Sequence, residues 1–137
     1  MNKFYLNGQI NKKLLSELTG NNIINRGISY YKESFDHFEK DLREKLWEKK
    51  NAFFSMCDFR IFNPFGYFSP TFKTEKVRDW DWVDFQKSYV SELLNGYNYM
   101  VLLPNWWKCR EARMLKQIAD NLGIKAIRIN KLLKELS

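Results

Sequence analysis

Cysteine is scarce in this sequence and histidine almost absent: Cys57, Cys109 and His37 are all there is of either. The two cysteines stand far apart and match no metal-ligand spacing, which argues against a disulfide framework and a structural metal centre; both read as reduced thiols of a cytoplasmic protein. His37 falls on the polar side of a helical stretch with no partner cluster nearby in sequence, so no catalytic or metal role is assigned to it. Long apolar runs are also missing. None approaches the ~20 residues a membrane span requires. The opening MNKFYLNGQINKK has neither the apolar length nor the small-residue cleavage site of a signal peptide. The expectation is a soluble chain with no membrane partner, no metal and no cofactor.

What is present is charge and aromatic side chains. The 137 residues suit one ordinary domain able to bury roughly two thirds of its unfolded surface. The formal charge is +7, and the excess is uneven: residues 98–137 carry eight Lys or Arg against three Asp or Glu, while residues 1–97 carry fifteen against thirteen. An anionic partner is therefore sought in the last third, although outward-facing cations that only aid solubility would give the same sum. Aromatics make up 17% of the chain and concentrate between Phe53 and Phe85. Interleaved with basic residues, they leave single-stranded nucleic acid as one reading; their apolar stripes leave core packing as the other.

The stretch from Asn98 to Gly123 organises the rest. An apolar run, Tyr99 to Leu103, meets Pro104 and a short turn, after which helical spacing runs over 108–122 and stops at Gly123: strand, loop, helix. Upstream, residues 3–6 form a β-prone run ending at Asn7-Gly8. Residues 11–27 are polar and glycine-punctuated, with a short helical turn at Leu14–Leu18. A long helix is predicted from Ser29 as N-cap, with Tyr31, Phe35, Phe38, Leu42 and Leu46 on one face and the pairs Asp36/Lys40, Glu39/Arg43 and Asp41/Lys45 on the other. Residues 58–64 read as a strand stopped by Pro64, and 65–79 as a loop whose Phe65, Tyr67, Phe68 and Phe72 either stack on a base or fold onto the sheet. Asp79 or Asp81 caps a helix carrying Trp82, Phe85, Tyr89, Val90 and Leu93 and ending at Asn95-Gly96. Ile124 to Ile129 is a last strand, and an amphipathic tail starts at Asn130. Strands alternating with helices imply a three-layer α/β sandwich around a four- or five-stranded, mainly parallel sheet of Rossmann-like or flavodoxin-like type, without repeats. Gly8, Asn63-Pro64 and Pro104 would then share the carboxyl end of the sheet, where such folds hold ligands.

Several segments resemble the nucleoside 2-deoxyribosyltransferase-like superfamily, in particular its small branch in bacteria and their phages. FYLNGQI is similar to the first-strand motif Y-[IL]-S-G-P-I, Asn63-Pro64 to the second-strand N-P, and MVLLPNWWKCREARMLKQIADNLGIKAI to the segment in which L-P-G-W precedes S-x-G-A-x-x-E. The likeness covers most of the chain in order, apart from 11–27 and 65–79. It implies a single deoxyribosyltransferase-like domain that binds a deoxynucleoside or nucleotide, a homodimeric assembly, and covalent cleavage of an N-glycosidic bond by a helix glutamate with aspartate assistance, without metal.

Residue by residue, the family's serine falls on Cys109, its glycine on Glu111 and its alanine on Ala112, and the nucleophile falls on Leu115. The strand-opening aspartate falls on Asn98, and the first motif's serine and proline on Asn7 and Gln9. Leucine cannot attack and asparagine cannot act as a general base. Glu111, one turn before Leu115, is the remaining candidate nucleophile. The ligand-binding candidates are Asn7, Gly8, Gln9, Asn63, Asn98, Asn105, Trp106, Lys108, Cys109, Arg110 and Ala112, with Lys108 and Arg110 suited to a 5′-phosphate and Trp106 and Trp107 to a pocket wall or to packing. The leading expectation is a nucleotide-binding protein with lost or altered N-glycosidase activity. An active glycosidase or transferase using Glu111, and a phage-type regulatory protein acting on a protein partner, are the alternatives.

Overall fold

The computed structural model describes residues 2–10, 24–52, 59–65 and 79–137, with helix side chains described over 33–49 and from 86 onward. Four strands, β1 (Asn2–Asn7), β2 (Phe59–Phe62), β3 (Tyr99–Leu102) and β4 (Lys125–Arg128), alternate with helices α1 (Ile24–Ala52), α2 (Asp79–Leu93), α3 (Arg110–Asn121) and α4 (Ile129–Leu136). All neighbouring strands pair in parallel, in the order β2-β1-β3-β4. This is the three-layer α/β sandwich with a flavodoxin-like strand order. Its chain path reverses between β1 and β3, which makes their carboxyl ends the topological switch point.

Register explains the layering. Tyr5 pairs with Phe62 on one side and Met100 on the other, so alternation sends Tyr5 and Asn7 to one face and Phe4, Leu6 and Gly8 to the opposite one. The Tyr5 ring stacks on Tyr89 of α2, 5.3 Å between centroids, and its hydroxyl donates to the Tyr89 carbonyl. Tyr89 in turn donates to the Leu6 carbonyl at 2.9 Å. The other face is covered by α1 and α4, whose buried Phe35, Leu42, Leu46, Ile129 and Leu132 join one core with the central strands. In α3, Ala112, Leu115 and Ala119 form the buried stripe.

Most elements fall where the sequence pattern puts them, with shifted limits. The first long helix starts at Ile24, so Ser29 is interior to it and does not cap it. Of the predicted ion pairs, Arg43–Glu39 forms at 3.2 Å. Asp41 meets His37 instead of Lys45, Lys45 meets Glu48, and Asp36 accepts a hydrogen bond from Asn63. Such exposed pairs contribute little each, so neighbouring contacts decide among them. The segment after Pro104 forms a 3-10 turn, Trp106–Lys108, before α3 begins. Gly123 ends α3 with φ 74°, and Gly96 follows α2 with φ 82°, the left-handed conformation glycine adopts at least cost. The Leu14–Leu18 turn, Cys57, the loop aromatics Tyr67, Phe68 and Phe72, and the side chains of Tyr31, Trp82 and Phe85 lie outside the described residues; Phe65 is buried against Phe35, with 5.3 Å between ring centroids. No described helix is long and apolar enough to cross a membrane.

Two predictions concern this core. A Cβ built on Gly8 comes within 3.0 Å of Leu103 Cδ1 and Phe35 Cζ and 3.1 Å of Leu103 Cβ. Both side chains are buried and confined. Gly8→Ala should therefore lower stability by about 1–3 kcal/mol in urea denaturation. Burial is the main cause that raises the phenol pKa values of Tyr5, Tyr89 and Tyr97 above the ordinary range. The unfolded chain releases these protons near pH ~10 while the folded chain keeps them, so their contribution is intact below that pH and is lost as pH rises beyond it. Alkaline titration should show these phenolates appearing together with loss of tertiary structure.

Candidate functional site

The carboxyl ends of the strands do gather Asn7, Gly8, Asn63, Pro104 and the start of α3 at one end of the sheet, as parallel pairing requires. Leu103 donates its backbone N–H to the Asn7 carbonyl at 2.9 Å, and Leu103 and Phe35 occupy the space beside Gly8. Among the described residues, it is the Leu103 and Phe35 side chains that approach Gly8 closely.

Asn7 is fully buried and lies on the face that carries α3. Its amide donates to the Ala112 carbonyl at 2.8 Å, with Met100 Sδ 3.4 Å away. The thiol of Cys109, at the N-cap of α3, lies 3.1 Å from the Ile10 carbonyl and 3.3 Å from Glu111 Oε2. The two contacts cross-tie the end of β1 to the first turn of α3. Asn7, Cys109 and Ala112 are thereby engaged within the protein. Asn63 is also engaged: its amide donates to Asp36 at 2.8 Å and its oxygen accepts from the Phe65 N–H at 2.9 Å, an Asx-type turn over Pro64. Gln9 is half-buried.

Asn98 is elsewhere. Its oxygen accepts from the Lys3 N–H at 2.8 Å at the amino end of β3, a strand length of ~13 Å from the other candidates. Asn98 opens β3, and parallel pairing sets the openings of the strands together at the amino end of the sheet.

Glu111 and Leu115 come together on the wall of one cleft, between α2 and α3. It measures about 350 Å³ and is lined by Gln86, Lys87, Tyr89, Val90, Ser91, Glu111, Met114 and Leu115. The size lies at the lower end of small-molecule sites. Leu115 is 1% exposed. Glu111 is the acidic residue of the first turn of α3, where negative charge complements the positive end of the helix. The cleft was not evident beforehand because half of its wall comes from α2, whose residues 86–91 read only as a packing face.

The cationic candidates stand outside this cleft. Lys108 and Arg110 are exposed, with Lys108 Nζ 5.3 Å from the Trp107 ring centroid. Asn105 takes a left-handed conformation, φ 65°, at the turn into Trp106. It lies with Trp106 on a second hollow, over the ends of β3 and β4. Among the described residues no group of His, Cys, Asp and Glu is placed to hold a metal ion. Comparison with family models, curated proteins and solved structures finds no match to this chain.

Cys109 is a free, buried thiol. Burial pushes its pKa up, its backbone contacts with Ala112 and Ile10 act in the opposite direction, and the neighbouring Glu111 carboxylate reinforces the rise. At neutral pH it is therefore a thiol and a poor nucleophile. In a Cys57→Ser variant, alkylation near pH 8 should be much slower for the native chain than for the urea-unfolded one; equal rates would show an accessible thiolate.

Proposed function

We propose that this chain is a nucleoside- or nucleotide-binding protein of deoxyribosyltransferase-like type in which the covalent glycosyl-transfer step has been lost. The observation that carries the reading is Leu115. It stands at the position where the resembled motif has its nucleophile, it is buried, and it lines a ligand-sized cleft beside the end of the central strand. The wall there is largely apolar, from Tyr89, Val90, Met114 and Leu115, which suits the face of a base more than a bare phosphate. A hydrocarbon in place of a carboxylate supplies neither attack on the anomeric carbon nor stabilisation of positive charge developing there. A homodimer belongs to the same reading, by the same resemblance.

One observation favours an active alternative. Glu111 shares the cleft with Leu115 and lies a turn closer to the positive end of α3. In that scheme its carboxylate oxygen bonds the anomeric carbon as the N-glycosidic bond breaks, the base leaving with the bonding electrons. Water then releases the sugar. A displacement of one turn, ~5 Å, is large against the ~1 Å tolerance of a reacting geometry, and for this reason binding without turnover is the preferred reading.

Calorimetric titration with a panel of deoxynucleosides and their 5′-monophosphates, together with chromatographic assay of free base, separates the two. The expected result is saturable binding with no base release above background, and a Glu111→Gln variant that binds within a few fold of the parent. Base release that disappears in Glu111→Gln would establish the active alternative. Absence of binding across the panel would overturn both and leave a protein partner.

A further inference from the structure

The second hollow has different chemistry. It encloses about 300 Å³ over the carboxyl ends of β3 and β4, and its wall includes Asn105, Trp106, Trp107, Arg128, Asn130 and Lys131. It shares no lining residue with the α2/α3 cleft, and none of the described residues lining it carries a carboxylate. Arg128 and Lys131 are exposed and have no ion-pair partner among the described residues. They flank the first turn of α4, which has no side-chain cap and no acidic residue. Two cations there add to the positive end of the helix instead of offsetting it, an arrangement that disfavours itself unless an anion sits nearby. Trp106 lines the same hollow, and its indole N–H, itself buried, has no acceptor among the described residues. An unpaired buried donor carries a desolvation cost that a bound acceptor would remove.

From the union of these features we propose that the β3/β4 hollow is a binding site for a small organic phosphate bearing a planar ring. Arg128 and Lys131 take the phosphate through charge-assisted hydrogen bonds, and the half-exposed ring of Trp107 offers a face for stacking. Lys108 Nζ lies 5.3 Å from the centroid of that ring. The enclosed volume suits one such molecule better than a polymer strand. The site is independent of the cleft at Glu111, so either can fail alone.

The test is a titration of the full chain, labelled with ¹⁵N at tryptophan, followed by NMR, with the Trp106 signal assigned from a Trp106→Phe variant. The probes are deoxyadenosine 5′-monophosphate, deoxyadenosine, inorganic phosphate and a thymidine oligonucleotide. Saturable displacement of the Trp106 indole N–H signal by the monophosphate is expected, with deoxyadenosine and inorganic phosphate each markedly weaker. Arg128→Ala with Lys131→Ala should weaken the monophosphate roughly a hundredfold, as loss of two charge-assisted contacts implies. Arg128→Lys with Lys131→Arg should retain most of the affinity, and Glu111→Gln all of it. Unchanged affinity in the double alanine variant overturns the site, as does a Trp106 signal that never moves. Binding confined to the oligonucleotide overturns it in favour of a nucleic-acid surface. Monophosphate binding that is kept in the double alanine variant, with the Trp106 signal unmoved, leaves the cleft reading standing and this one refuted.

Discussion

The buried amide of Asn7 is the constraint on which the functional end of this molecule depends. An amide at zero exposure must find partners inside the protein or carry the cost of lost hydration. Here its donor is met by the carbonyl of Ala112, in the first turn of α3, while Cys109 returns a contact to the Ile10 carbonyl. The start of α3 is thereby held against the end of the central strand. Its rotation is set as well, so Leu115 turns inward and Glu111 comes to the edge of the cleft. Tyr89 completes the tie from α2 through the Leu6 carbonyl.

Leu103 and Phe35 fill the position beside Gly8, and the two hollows at this end of the molecule differ in lining. One is largely apolar with a carboxylate at its edge; the other is aromatic, amide-lined and cationic. Lys87 stands with Glu111 in the first, whereas the second has cations and, among the described residues, no carboxylate on its wall.

The layers of the fold were legible because hydrophobic period speaks directly to element type: Phe35, Leu42 and Leu46 on α1, and Ala112, Leu115 and Ala119 on α3, are buried at helical spacing. Element limits were less so. Ser29 has the chemistry of an N-cap, yet the helix begins at Ile24, because propensity at one residue is outweighed by the continuation of helix before it. Partners of charged side chains were legible only in part, since His37 and Lys40 offer Asp41 and Asp36 local alternatives that the sequence cannot rank; Asp36 was drawn instead to Asn63, distant in the chain. Of the candidate site residues, Asn7, Asn63 and Cys109 proved to be spent on internal hydrogen bonds, and Asn98 to stand at the other end of its strand.

By itself the sequence determined the alternation of strands and helices, the excess of positive charge in the last third, and the identity of residues 98 and 115 as asparagine and leucine. These are local properties: period, composition and residue identity do not change on folding. Only the tertiary structure decided which polar groups remain free, that Glu111 and Leu115 face α2 across one cleft, and that Arg128 and Lys131 join Trp106 and Trp107 around another. Those facts depend on strand register and on which helix covers which face, and both are settled by burial and hydrogen bonding between segments far apart in the chain.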